Sequence, residues 1–213
     1  MDTLRLLFGA LLSPAFSLWG TPVTWAEVLA FALGLWMVER NIRVHPWGWP
    51  LAIGSSALYA LLFADSRLYG EAGLQGFFIA MSVWGWRQWL RGTGPNGALL
   101  QVQAMSWAAR AAAAGVTLAA WPLLALLLSR GTDSDVPWFD ALPTVASITG
   151  QWLLARKRVE AWVVWLMVNI FSVGLFLHKS LWLTALLYAV FAVLSVAGWL
   201  AWRRLAEPGG RVT

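Results

Sequence analysis

Three amide side chains, Gln75, Gln151 and Asn169, sit inside stretches that are otherwise almost wholly apolar. Trp162 and Trp165 precede Asn169 by two helical turns and one, and Tyr59, Ser147 and Tyr188 lie in similar stretches. An amide offers both hydrogen-bond donors and an acceptor. An indole face stacks on heteroaromatic rings and attracts cations. The chemistry these residues can do is recognition, of a polar ring system with hydroxyl or amide groups. Bond-making chemistry is not visible. The chain has no cysteine, which excludes disulfides, thiolate metal sites and thiol redox catalysis. No nucleophile–base pair stands out, and the two histidines, His45 and His178, lie at opposite ends of their apolar stretches. Neither an enzyme nor a metal or other cofactor is expected.

The elements that must position these residues are membrane helices. Of the 213 residues, 60% are hydrophobic and 12% charged, and the mean hydropathy is +0.65. A soluble domain carries about 25% charged residues. A spanning helix needs about 20 mostly apolar residues, and seven stretches qualify: 24–40, 47–65, 70–91, 103–129, 138–156, 160–178 and 181–203. Residues 1–20 carry Asp2 against Arg5 and too short an apolar core for a signal peptide; they read as a short interfacial helix. Residues 205–213 form a tail.

Short loops carry the charge. With the N-terminus outside, eleven Lys and Arg fall inside: Arg40, Arg43, Arg87, Arg91, Arg110, Arg156, Lys157, Arg158, Arg203, Arg204 and Arg211. Four fall outside: Arg5, Arg67, Arg130 and Lys179. The bias predicts an external N-terminus and a cytoplasmic C-terminus. The net charge of +5 is thus topological and implies no nucleic-acid partner.

The chain also repeats itself at an offset of 113 positions. Trp25-x-Glu27 falls on Trp138-x-Asp140, Arg43 on Arg156, and Trp49 on Trp162. "LQGFFIAMSVWGWRQWLR" (74–91) falls on "LYAVFAVLSVAGWLAWRR" (187–204) without a gap. Two three-helix units, 24–91 and 138–204, can lie parallel only if one further span separates them. The stretch 103–129 supplies that linker. The expected fold is an all-α integral membrane protein of seven transmembrane helices, arranged as three plus one plus three. Transporters built this way place the site between repeats near the midplane.

At 100° per residue the polar side chains of several spans share a face. Span five aligns Asp140, Thr144, Ser147 and Gln151; span six aligns Trp162, Trp165, Asn169 and Ser172; span seven aligns Thr184, Tyr188, Ser195 and Trp199. Span three aligns Glu71, Gln75, Ser82 and Trp86, and span two adds Ser55 and Tyr59. Such residues are commonly interhelical glue. Amides at mid-depth are costly unless satisfied, and favour a cavity. The acids have a structural reading: Thr24-x-x-Glu27 is a capping box, and Asp140 complements a helix N-terminus. No Lys or Arg lies at mid-membrane to pair with a phosphate. No Asp or Glu lies there to relay protons or sodium.

"WGWPLAIGSSALYALLFADSRLYGEAGLQGFF" (47–78), "DALPTVASITGQWLLARKRVEAWVVWLMVN" (140–169) and "LWLTALLYAVFAVLSVAGWLAW" (181–202) resemble the PnuC family of vitamin-precursor transporters. The resemblance covers roughly 24–204 and departs at Gly70-Glu71, where the family often has Ala-Asp. It implies the three-plus-one-plus-three fold related to SWEET sugar transporters, a homotrimer in a bacterial inner membrane, and a small-molecule substrate. The best-known members move nicotinamide riboside by facilitated diffusion, and an intracellular kinase traps it. The family's binding glutamine falls on Gln75, its tryptophan and asparagine on Trp165 and Asn169, and its span-seven tyrosine on Tyr188. Asn169 is then expected to bind ribose or amide groups, with Trp165 and Trp162 stacking on the pyridinium. Relatives carry thiamine, riboflavin or deoxynucleosides, so the substrate stays open among these. A seven-helix structural or sensory protein without transport is the reading from another class.

Overall fold

A computed structural model describes residues 8–18, 20–65, 69–94, 97–131, 137–178 and 182–207. A helical stretch at 8–12 is followed by a hairpin of β1 (Pro14–Leu18) and β2 (Thr21–Thr24), paired antiparallel with a bulge between Pro14 and Phe16. Helices follow: α1 (Trp25–Ile42), α2 (Gly48–Asp65), α3 (Tyr69–Arg91), α4 (Trp107–Gly131), α5 (Pro137–Ala155), α6 (Glu160–His178) and α7 (Trp182–Ala206). Arg5, Arg67, Lys179 and Arg211, which enter the expected orientation, lie outside the described residues.

The helices coincide with the seven apolar stretches to within a few residues. Of the short helix expected over 1–20, residues 8–12 are helical, residues 1–7 lie outside the described residues, and from Pro14 the hairpin replaces it. Pro14 and Pro22 lack the N–H a helix interior needs, and Gly20 supplies a φ of +80° at the turn. α4 begins four residues later than expected, because Gln103 pairs in parallel with Arg158 instead. The Thr24 hydroxyl accepts from Glu27 N at 3.2 Å, so the cap predicted for α1 forms.

Among the described residues, Trp107–Gly131 and Ala185–Ala206 are long and apolar enough to cross a membrane, each with a mean hydropathy of 2.0. Several of their large apolar side chains face outward. Val116, Leu127 and Val193 are each about 70% exposed, a surface that only a lipid phase or further protein can cover. The protein is a helical membrane protein.

The chain divides into two compact units, 1–90 and 91–213. In the first, α1 packs on α2. Trp49 on α2 meets Trp89 on α3 edge-on, with centroids 5.4 Å apart and planes at 89°. A Cβ on Gly85 would run into the Trp49 indole, so only glycine lets the ring lie flat on α3. In the second unit α4 packs on α5, α5 on α6, and α6 on α7. Here Trp162 on α6 meets Trp202 on α7 edge-on at 5.5 Å and 85°, and Gly198 leaves the room. Each of these three residues lies 113 positions after its counterpart.

The turns repeat as well. After α1, Val44 N bonds Asn41 O at 3.0 Å and His45 N bonds Arg40 O at 2.8 Å. After α5, Lys157 N bonds Leu154 O at 3.0 Å and Arg158 N bonds Leu153 O at 2.9 Å. Both are helix ends closed through a left-handed residue, which satisfies carbonyls the last turn leaves open. The sequence repeat at 113 is therefore a repeat of backbone geometry within each unit.

The second turn is strapped as well as closed. Gln103 N bonds Lys157 O at 3.1 Å and Val159 N bonds Gln103 O at 3.2 Å. Lys157 Nζ donates to Leu100 O at 2.9 Å, and Arg158 Nη1 to Gln103 Oε1 at 3.2 Å. Glu160 Oε1 accepts from Met105 N at 3.0 Å and from Arg110 Nε at 2.9 Å, with Arg110 Nη2 2.8 Å away. The segment leading into α4 thus rides on the start of α6.

Candidate substrate-binding site

α6 carries the centre of the candidate site. It lies between α5 and α7, so its aromatic and polar side chains divide between two neighbours. Trp165 lies against α5: a Cβ on Gly150 would stand 3.2 Å from its Nε1. The ring is half-buried. Gln151, next to Gly150, is buried, and so is Ser147 one turn earlier on the same face of α5.

Asn169 turns to α7. Its Nδ2 donates to Ser195 Oγ at 3.1 Å, and both residues are about 95% buried. Ser195 Oγ in turn donates to Phe191 O at 2.8 Å, one turn back along α7. Among the described residues no group donates to Asn169 Oδ1. One turn before Ser195 on α7 is the half-buried Tyr188, whose ring meets Phe191 edge-on at 6.2 Å.

Trp162 has a different setting from Trp165. It is 3% exposed, with its ring taken up by Gly198 and Trp202. Among the described residues its Nε1 is buried without a hydrogen-bond partner, as is Nε1 of Trp49. This geometry gives Trp162 a packing role and leaves little ring face for a ligand.

The remaining candidates belong to the first unit. Tyr59 stacks on Phe63 along α2 at 6.1 Å, and Gln75 is half-buried on α3. The side chains of Glu71, Asp140 and Thr184 are outside the described set. A separate groove of about 310 Å³ between α4 and α5 is lined by Val116, Leu123, Leu127 and Val145 and by the Thr117–Thr149 hydroxyl pair. None of the eight candidate residues borders it.

Sequence reasoning passed over Ser195 as a site residue, although it lies in the polar stripe of span seven. The available signal was the repeat, at whose offset Ser195 falls on Ser82; that both are buried is a finding of the structure.

The chemistry available is hydrogen bonding from neutral groups beside indole and phenol rings. The profile of the family described as "Nicotinamide mononucleotide transporter" matches residues 24–204. The riboflavin/roseoflavin transporter RibM of Streptomyces davaonensis is 31% identical over 202 residues, spanning 92% of this chain and 94% of RibM. The nicotinamide riboside transporter PnuC of Escherichia coli is 24% identical, covering 90% of each chain. PnuC of Neisseria mucosa is 26% identical over 87% of this chain and 74% of its own. In fold, the chain is similar to a crystal structure of the vitamin B3 transporter PnuC, with a TM-score of 0.72, 20% identity, and coverage of 96% of this chain and 87% of that one. The match runs from the first residues of the α1 cap to the end of the α7 repeat segment, and by it this chain belongs to the nicotinamide mononucleotide transporter family of membrane proteins.

Proposed function

We propose that this chain carries nicotinamide riboside across a bacterial inner membrane by facilitated diffusion, with phosphorylation inside the cell trapping the product. The arrangement that goes with it is seven spanning helices as two parallel repeats around the linker α4, with the N-terminus outside, the C-terminus in the cytoplasm, and three copies per assembly. The observation that carries the reading is Asn169, an amide in the middle of an apolar helix, anchored on one side by Ser195 and flanked one turn away by Trp165. Burying an amide unsatisfied costs about 1–3 kcal/mol, which a ligand hydroxyl or amide offsets. Trp165 supplies the stacking face; Gln151, Ser147 and Tyr188, on the neighbouring helices of the same unit, supply further polar or aromatic groups, and Gln75 and Tyr59 are the first unit's own candidates. Trp162 shapes the wall.

No Lys or Arg lies in the central turns of the seven helices, which supports an unphosphorylated nucleoside over a mononucleotide. The absence of mid-helix carboxylates supports uncoupled diffusion. Riboflavin is a second reading, favoured by the 31% identity to RibM against 24–26% for the riboside transporters. It too is unphosphorylated, with a ring system to stack and a polyol to hydrogen-bond.

The test is calorimetry on the detergent-purified protein with nicotinamide riboside, nicotinamide mononucleotide, riboflavin and thiamine. Binding of the riboside alone supports the first reading, and binding of riboflavin alone moves the substrate within the same fold. Binding of the mononucleotide overturns the argument from missing cations.

A further inference from the structure

The hydrogen count at Ser195 decides which way the Asn169 amide faces. A serine hydroxyl has one hydrogen. Ser195 gives it to Phe191 O at 2.8 Å, the back-bond to the preceding turn that buried helical serines often make. Toward Asn169, 3.1 Å away, the hydroxyl therefore has only lone pairs to present. The amide must meet it with its NH2 group, since the opposite orientation sets two acceptors against each other. With Nδ2 held toward α7, Oδ1 points elsewhere, and among the described residues nothing donates to it.

We infer that Ser195 is a positioning residue that fixes the Asn169 amide with its oxygen outward. The site thereby reads a hydrogen-bond donor on the substrate, a sugar hydroxyl, through Asn169 Oδ1. The inference rests on Asn169 lying in the substrate site, as proposed above. It goes further in saying which partner donates. It also makes the two repeats unequal. Ser82, the counterpart of Ser195, is equally buried, but the counterpart of Asn169 is Ser56, which has no amide to orient. The polarity is built into the second repeat alone.

The experiment is calorimetry on the full chain with nicotinamide riboside and its 2′- and 3′-deoxyfluoro analogues. Fluorine keeps the size and polarity of a hydroxyl but cannot donate. Wild type is expected to bind one fluoro analogue roughly tenfold more weakly than the riboside, the scale of one hydrogen bond lost to a buried acceptor. In Ser195→Ala the amide can turn over, and the ratio is expected to fall to within about threefold, on the weaker side of the same range. Ser195→Thr, which keeps the hydroxyl, is expected to restore it. A purely structural role for Ser195 would lower all affinities together and leave the ratio alone. If Ser195→Ala is not recovered folded, Ser195→Cys is read in the same way, since a thiol is a weak acceptor of similar size. An unchanged ratio in the Ser195 variants overturns the inference while leaving Asn169 in the site. Wild-type affinity in Asn169→Leu overturns the reading beneath it as well, as does failure of the riboside to bind.

Discussion

Val44 and Lys157 stand 113 positions apart and adopt the same left-handed backbone conformation, with φ of 55° and 52°. Among the described residues they are the only non-glycines with positive φ. Each closes its helix with the same pair of backbone hydrogen bonds. Valine is a poor choice for that conformation, because its branched Cβ crowds the following carbonyl.

Val44→Asn should therefore stabilise the protein by about 1 kcal/mol, since asparagine tolerates the left-handed region. Thermal unfolding in detergent, followed by tryptophan fluorescence, measures it. An unchanged or lowered midpoint would show that the turn carries no strain at this residue.

Gly85→Ala and Gly198→Ala should each destabilise by about 1–3 kcal/mol through overpacking. The added methyl would meet Trp49 in one unit and Trp162 in the other. Gly76→Ala has open space at the same atom and should be neutral or better. Folded yield and melting temperature of the three variants separate the cases. Equal tolerance at all three positions would dismiss the tryptophan–glycine contacts as a structural device.

Burial lowers the Lys157 ammonium from its ordinary 10.5. The folded state then binds fewer protons than the unfolded state in the window between the lowered value and 10.5. Stability should rise with pH through that window, as the cost of holding the buried charge disappears. Lys157→Asn keeps the turn and should flatten this alkaline rise. Melting temperatures of both proteins at stepped pH values provide the comparison, and an identical slope would remove Lys157 as its source.

Glu160→Ala should cost more stability than Glu160→Gln. Glutamine still offers an oxygen to Met105 N and Arg110, whereas alanine leaves both without an acceptor. A difference of about 1 kcal/mol between the variants is the expected scale for such bonds. Thermal unfolding reads it, and equal midpoints would mean that the strap contributes nothing to the fold.

Asn169→Leu should cut uptake of the riboside at least tenfold, corresponding to about 1.4 kcal/mol. The amount of folded, membrane-inserted protein should stay the same. Radiolabelled uptake normalised to protein detects this, and near-normal uptake would take Asn169 out of the site.

The helices of this protein were legible in the sequence because apolar length is a local property. Glu160–His178 was bounded correctly on both sides by the basic turn before it and the polar residues after it. The repeat was legible because equal geometry demands similar residues at equal spacing. Trp49, Gly85 and Trp89 recur as Trp162, Gly198 and Trp202. The hairpin at Pro14–Thr24 was not legible, since its pairing depends on which strand comes back. Nor was the division of labour along α6. Periodicity put Trp162, Trp165 and Asn169 on one stripe, but not which neighbouring helix each would meet. Only the packed structure turned Trp165 toward Gly150 and Asn169 toward Ser195, and closed Trp162 against Trp202. The physical reason is that a side chain's hydrogen-bond polarity and free surface are set by contacts across helices. Asn169 and Ser195 are 26 residues apart, and no local pattern records which of their atoms will touch.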